Sequence, residues 1–143
     1  MTNFLAKMFS FKFNRCKSHL IKHISACFDP LRDELGTVPT ELHTSKYVTA
    51  SMLGICAGYA KQLDITSTDK IALITDAVFE EIFRRDATEV LTMTDQWRDG
   101  HDDEFIKAYN EAMQKTDGKD TLELDWLKTY LVDNFKPSTN LML

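Results

Sequence analysis

The sequence predicts an all-α protein, a single-domain helical bundle of five or six helices with a long amphipathic N-terminal helix. Three observations predict this fold class. Five glycines and three prolines in 143 residues are too few for the many turns of a β-sandwich or barrel. Apolar residues recur at intervals of three and four along most of the chain, which is the period of an amphipathic helix. The length is that of one ordinary domain, which can bury a core without disulfides or a structural metal.

The first helix is expected over residues 4–28. Its apolar side chains fall on one helical stripe, which consists of Leu5, Phe9, Phe13, Cys16, Leu20, Ile24 and Cys27. The helix should end at Phe28, because Pro30 lacks a backbone donor and the residue before a proline disfavours helical angles. Residues 29–44 are interpreted as a connector with one helical turn around 31–35.

The second helix is expected to begin at Thr44 or Ser45 and to end near Leu63. Small side chains form a stripe along it, made of Ala50, Gly54, Ala57, Gly58 and Lys61. Glycine within a helix costs about 1 kcal/mol relative to alanine, so this stripe predicts a compensating close contact. Close packing in the core is the main interpretation. A ligand against the bare backbone and a dimer seam are the alternatives.

The third helix is expected from a cap at Ser67 or Thr68 to about Arg85. Two pairs at i, i+4 spacing should lie on its exposed side, and these are Glu80 with Arg84 and Glu81 with Arg85. Asp86 and Glu89 have the spacing of a capping box. They predict a fourth helix that stops near Gly100 and buries Val90, Leu91, Met93, Thr94 and Trp97.

The fifth helix is expected to start at Asp102 or Asp103, because acids are favoured at the positive end of the helix dipole. It should bury Phe105, Ile106, Tyr109 and Met113 and break at Gly118. A cap at Asp120 or Thr121 predicts a sixth helix over residues 122–135. The body of the domain then spans residues 45–135, and residues 136–143 form a flexible tail.

Charge is divided unevenly along the chain. The net charge is −5, but residues 1–28 carry +5 with no acid, so the other 115 residues carry −10. An acidic body repels phosphate backbones, which argues against nucleic-acid binding. A basic helix laid against its own acidic body would explain the asymmetry without any partner.

The compartment follows from the cysteines and from the longest uncharged run. That run, residues 47–60, is shorter than the about 20 residues that a membrane-spanning helix requires. Cys16, Cys27 and Cys56 are an odd number without a CxxC pair, which favours a reducing compartment over a secreted disulfide scaffold. A cytoplasmic location is therefore expected.

A first candidate metal site lies on the N-terminal helix and consists of Cys16, His19, His23 and Cys27. The i, i+4 pairs among them have the geometry that can share a metal. The helix rises about 16 Å from the first of them to the last, so one ion cannot bind all four. The alternative is packing, because both cysteines lie on the apolar stripe, where a free thiol behaves as a small hydrophobe.

A second candidate is the acidic turn between the fourth and fifth helices, which contains Asp95, Asp99, His101, Asp102 and Asp103. Clustered carboxylates can hold a hard cation or act as a general acid and base. Acidic helix starts also occur without any such function. Signatures of nucleotide, zinc-protease, di-iron and calcium sites are absent from the sequence, and no cofactor is expected.

The functional hypothesis is a non-catalytic interaction or regulatory module that binds a protein partner, or a second copy of itself, through the N-terminal helix of residues 1–28 and an acidic face of the body. The candidate contact residues join an apolar stripe to a basic flank and are Phe9, Lys12, Phe13, Arg15, Leu20 and Lys22. One alternative is a small metal-dependent enzyme or metal-binding protein that uses the acidic turn or the Cys/His stripe. The other is attachment to an anionic membrane surface through the basic helix and its phenylalanines.

Overall fold

The computed structural model describes residues 2–119 and 121–138, and the all-α prediction is confirmed. These residues contain no strand. They form six α-helices, which are α1 (Thr2–Phe28), α2 (Lys46–Gln62), α3 (Thr68–Phe83), α4 (Ala87–Asp99), α5 (Asp103–Thr116) and α6 (Asp125–Asn134). Short 3₁₀ turns cover Asp29–Leu31, Thr40–Thr44 and Arg84–Asp86.

Helix α2 is the central helix of the bundle and contacts all five others. The side chain of Ser45 caps it by accepting a hydrogen bond from the Val48 backbone nitrogen, as predicted. Every residue from Val48 to Cys56 is buried. The uncharged run of the sequence is therefore a helix enclosed on all sides, because a helix without a solvent-facing side has no position for a charge.

The small-residue stripe of α2 packs against α5, which confirms the core-packing interpretation. A Cβ atom on Gly54 would lie 2.8 Å from the Cβ of Ala112, and one on Gly58 would lie 3.1 Å from the Cβ of Thr116. Ala108, Ala112 and Thr116 are buried at every fourth position of α5, opposite the glycines. The two backbones therefore approach closely along this contact.

Helix α1 supplies fully buried core residues from its second half, and Phe13 of the first half packs partly buried against the core. Cys16, Leu20, Ile24 and Phe28 have no exposed surface, and α1 packs against α3, α6 and α2. Met8, Phe9 and Phe11 are exposed. The helix thus has an anchored half and a half that presents apolar side chains to solvent.

The corner between α3 and α4 differs from the prediction. Asp86 has φ −90° and ψ 0°, which are nearly helical angles, and its side chain caps nothing. The predicted capping box is therefore wrong, because the chain continues through a 3₁₀ turn and never adopts the extended conformation that an N-cap requires. Arg84 has φ 55°, outside the helical region, and neither predicted pair with Arg84 or Arg85 forms an ion pair.

The connector and the last helix also begin and end differently from the prediction. Helical turns occupy Asp29–Leu31 and Thr40–Thr44, whereas residues 34–36 form a turn and a bend in place of the predicted helical turn. Helix α6 begins at Asp125, three residues later than predicted. The backbone nitrogen of Ser138 donates a hydrogen bond to the carbonyl oxygen of Leu31 at 3.0 Å. Asp120 and residues 139–143, with most of the predicted tail, lie outside the described residues.

One polar contact joins the start of α2 to the start of α5. Nζ of Lys46 lies 2.8 Å from Oδ2 of Asp102, and Oδ1 of Asp102 accepts a hydrogen bond from the Phe105 backbone nitrogen at 3.0 Å. The bond from Lys46 and then that from the backbone hold the pKa of Asp102 below its ordinary 3.8. Asp102 therefore caps the N-terminus of α5 and also forms an ion pair with Lys46 of α2.

Replacing Asp102 with asparagine is expected to lower the urea midpoint of unfolding at pH 7. Asparagine still caps α5 but loses the charge that pairs with Lys46. Because the pKa of Asp102 is lower in the folded state, its contribution is present above about pH 3.8 and lost as the pH falls through the folded value. The difference in midpoint should therefore shrink below pH 3.8. An unchanged difference at low pH, or an equal loss in Asp103→Asn, would contradict the pairing.

Candidate functional site

The exposed half of α1 carries three of the large apolar side chains that the fold leaves uncovered; the others, Leu35, Leu73 and Val132, lie on separate elements. Phe9 is 53% exposed, Phe11 68% and Met8 44%. We define the aromatic–basic surface as Met8, Phe9, Phe11, Lys12, Phe13 and Arg15. Four of the predicted contact residues, Phe9, Lys12, Phe13 and Arg15, belong to it.

The other two predicted contact residues do not. Leu20 is completely buried and cannot touch a partner, which corrects that assignment. It lies on the same apolar stripe as Phe9, but the stripe is exposed at Phe9 and becomes buried further towards the C-terminus of the helix. Lys22 is exposed but lies about 15 Å from Lys12 along the axis. Met8 and Phe11 are not among the predicted contact residues, although both are large apolar residues that lie off the core stripe.

The turn between α2 and α3 runs beside this surface and forms a hollow on each side of Lys12. One hollow, of about 100 Å³, is bounded by Phe9, Phe13, Ile65 and Lys70. The other, of about 210 Å³, is bounded by Phe11, Arg15, Gln62 and Leu63. Lys12 and Asp64 border both hollows. The surface is therefore concave on both sides of a central lysine.

Positive charge surrounds the aromatic rings. Nζ of Lys70 lies 4.9 Å from the centre of the Phe9 ring, and Nζ of Lys17 lies 5.6 Å from that of Phe13. Among residues 2–119 and 121–138, neither Lys12, Arg15 nor Lys70 forms an ion pair within 4.0 Å. These charges are free to meet an external carboxylate.

The Cys/His stripe is divided between the core and the surface. Burial raises the pKa of the Cys16 thiol to about 11, and burial raises that of Cys27 to about 11 as well. The Cys27 thiol donates weakly to the carbonyl oxygens of His23 and Leu124. Nδ1 of His19 lies 3.1 Å from the Tyr59 hydroxyl, which links α1 to α2. The two thiols therefore pack as apolar groups in the core.

His23 lies on the exposed side of the same stripe. Its pKa is lowered from 6.5, first by desolvation and then by the neighbouring charges of His19 and Lys22. Within the described part of the chain, no three histidine, cysteine or acidic side chains come together as a metal would require. The four candidate ligands of α1 are therefore not assembled into a site.

The free thiols give a test of this packing. At pH 8, a rise in thiol pKa from 9.0 to about 11 lowers the thiolate fraction about a hundredfold, and burial excludes the reagent further. Ellman's reagent should therefore react at least about a hundredfold more slowly with Cys16, Cys27 and Cys56 in the folded protein than in urea. Rapid reaction of one thiol under native conditions would mean that it is accessible and reactive.

Three of the four carboxylates of the acidic turn have a charged partner. Asp95 pairs with Arg98 at 2.9 Å, and Asp99 approaches the same guanidinium at 3.8 Å. Asp102 caps α5, and Asp103 lies in the first turn of that helix. His101 is exposed, with φ 52°. The structure thus disperses these residues over three ion pairs, a helix cap and a turn.

A larger hollow lies elsewhere, between the connector and the C-terminal part of the described residues. It measures about 490 Å³ and is bounded by Pro39, Thr40, Glu41 and residues 134–138. Its charged side chains are Glu41 and Lys136, one of each sign.

Comparison with known proteins finds no matching family, no similar curated protein and no similar solved structure. Among the described residues, no helix combines the length and apolar character needed to cross a bilayer.

Proposed function

We propose that the protein is a non-catalytic interaction module that binds another protein through the aromatic–basic surface of α1. The observation that carries this proposal is the exposure of Phe9 and Phe11 beside unpaired basic side chains. Burying a phenylalanine is worth about 1.5–3 kcal/mol, so leaving two exposed forgoes a substantial stabilisation. Aromatic and arginine side chains are also the types enriched at protein interfaces.

The anchoring of α1 favours tight binding. The second half of the helix is held by core side chains such as Leu20, Ile24 and Phe28. The exposed half belongs to the same continuous helix, so a partner meets side chains on a helix that is already formed. A preformed surface loses less conformational entropy on binding than a segment that folds at that moment.

A protein partner accounts for this surface better than a membrane does. The aromatic side chains border hollows, into which a partner can insert side chains, whereas a bilayer requires no concave relief. The three buried free thiols support a reducing, cytoplasmic setting for the interaction.

Site-specific photo-crosslinking tests the proposal. Benzoylphenylalanine is placed at position 11 of the full chain and, as a matched control, at position 35, where Leu35 is 70% exposed in the connector. Irradiation in source-cell lysate should attach one discrete protein from position 11 and not from position 35. Identical adducts from both positions, or none from position 11, would contradict docking through this surface.

A further inference from the structure

We infer that the partner presents an acidic amphipathic segment with two apolar anchor side chains, one for each hollow, and a carboxylate between them for Lys12. This inference rests on the proposed function and names the chemistry of its partner. It is carried by the charge of the surface, by the two hollows and by the position of Lys12 between them.

The charge of the surface differs in sign from that of the chain. Lys12, Arg15 and Lys70 border the hollows, and Asp64 is the one acid among the bordering residues. The bordering side chains therefore carry +2, whereas the whole chain carries −5. Complementary potential steers association and selects against partners of like charge, so a positive surface on an acidic protein favours an acidic segment.

The two hollows set the number of apolar anchors. Phe9 and Phe13 are one helical turn apart and border one hollow, while Phe11 borders the other. The larger hollow has mainly apolar walls. Each hollow is large enough for one side chain. A segment that crosses α1 over both hollows therefore inserts two apolar side chains, one into each. Helical segments meet such a requirement with apolar residues on one face.

Lys12 determines what lies between the anchors. It borders both hollows, is exposed, and has no carboxylate within 4.0 Å among the described residues, Asp64 included. An anchored segment must pass over its ammonium group. A carboxylate at that point forms a charge-assisted hydrogen bond, and Arg15 offers a second, bidentate donor beside the larger hollow.

The experiment is a selection of displayed random 14-residue peptides on the full chain. The enriched peptides should contain several aspartate or glutamate residues together with two apolar residues. Their affinity should fall about tenfold or more in Lys12→Glu/Arg15→Glu and less than about twofold in Lys22→Glu, which reverses an exposed charge on the same helix outside the surface. The affinity should also fall as salt is raised, because the contact is between exposed charges.

The other outcomes separate the inference from the function. Neutral or basic peptides whose binding is lost in Phe9→Gln/Phe11→Gln would overturn the acidic partner and leave docking in place. Peptides that bind regardless of this double variant, or none at all, would overturn both.

Two further readouts use the full chain alone. Binding to phosphatidylserine vesicles that is lost in Phe9→Gln/Phe11→Gln would assign the surface to lipid and overturn the inference. A dimer in sedimentation that the same variant dissociates would assign the surface to a second copy, which also overturns it.

Discussion

Replacing Gly54 with alanine is expected to lower the free energy of unfolding by about 3 kcal/mol. The added Cβ would lie 2.8 Å from the Cβ of Ala112 and nearer still to the backbone carbonyl oxygen of Tyr109. A backbone carbonyl cannot rotate away as a flexible side chain can, so α2 and α5 must move apart. The gain in helix propensity, about 1 kcal/mol, is smaller than this cost. Urea unfolding followed by circular dichroism measures the difference.

Gly58→Ala is the matched control, one turn further along the same contact. Its Cβ would lie 3.1 Å from the Cβ of Thr116 and 3.2 Å from the carbonyl oxygen of Met113, which small shifts can relieve. The propensity gain then nearly offsets the crowding, and the expected change is within about 1 kcal/mol. Equal losses at both positions, or a stabilised Gly54→Ala protein, would contradict close packing of α2 on α5.

Truncating Phe28 to alanine is expected to cost about 3–5 kcal/mol, whereas truncating Phe11 should change the free energy of unfolding by less than about 0.5 kcal/mol. Both residues belong to α1, but Phe28 has no exposed surface and Phe11 is 68% exposed. The first substitution leaves a cavity in the core, and the second removes a ring from solvent. Urea unfolding of the two variants compares them directly.

This pair of variants tests the division of α1 into two halves. A large loss from Phe11→Ala would mean that the exposed half contributes to the core. A small loss from Phe28→Ala would mean that the second half is dispensable. Deleting residues 1–28 is a poor test of docking, because it also removes Cys16, Leu20 and Ile24 from the core.

The sequence could predict the fold where local signals and packing agree. Ser45, Ser67 and Asp102 were each predicted as caps or helix starts, and each accepts a hydrogen bond from the first turn of its helix. The glycines of α2 predicted a close neighbour. The sequence could not identify α5 as that neighbour, because the pairing of two helices depends on tertiary contacts. For the same reason Ala108 and Ala112, which are small residues between larger apolar ones, were missed as the buried face.

The candidate site could be predicted only in part. Periodicity identifies which residues share a helix face, but it does not show how deeply each of them is buried. Phe9, Phe13 and Leu20 share one stripe, yet Phe9 is half exposed and Leu20 is completely buried. The burial of a residue on this stripe depends on whether other helices cover α1 at that point. The α2–α3 turn at Asp64 lies beside the part of α1 where this cover ends. The hollows themselves combine residues some fifty positions apart, such as Phe11 with Leu63. Such combinations leave no signal in the local pattern.

The affinity of the partner identified by crosslinking from position 11, measured for the wild-type chain and for Phe9→Gln/Phe11→Gln, tests docking through this surface most directly. Isothermal titration should give an affinity weaker by about tenfold or more for the variant, because exposed aromatic side chains at an interface carry much of the binding energy. Its free energy of unfolding should stay within about 1 kcal/mol of the wild type. Equal affinity for both chains would contradict the claim that this surface binds the partner.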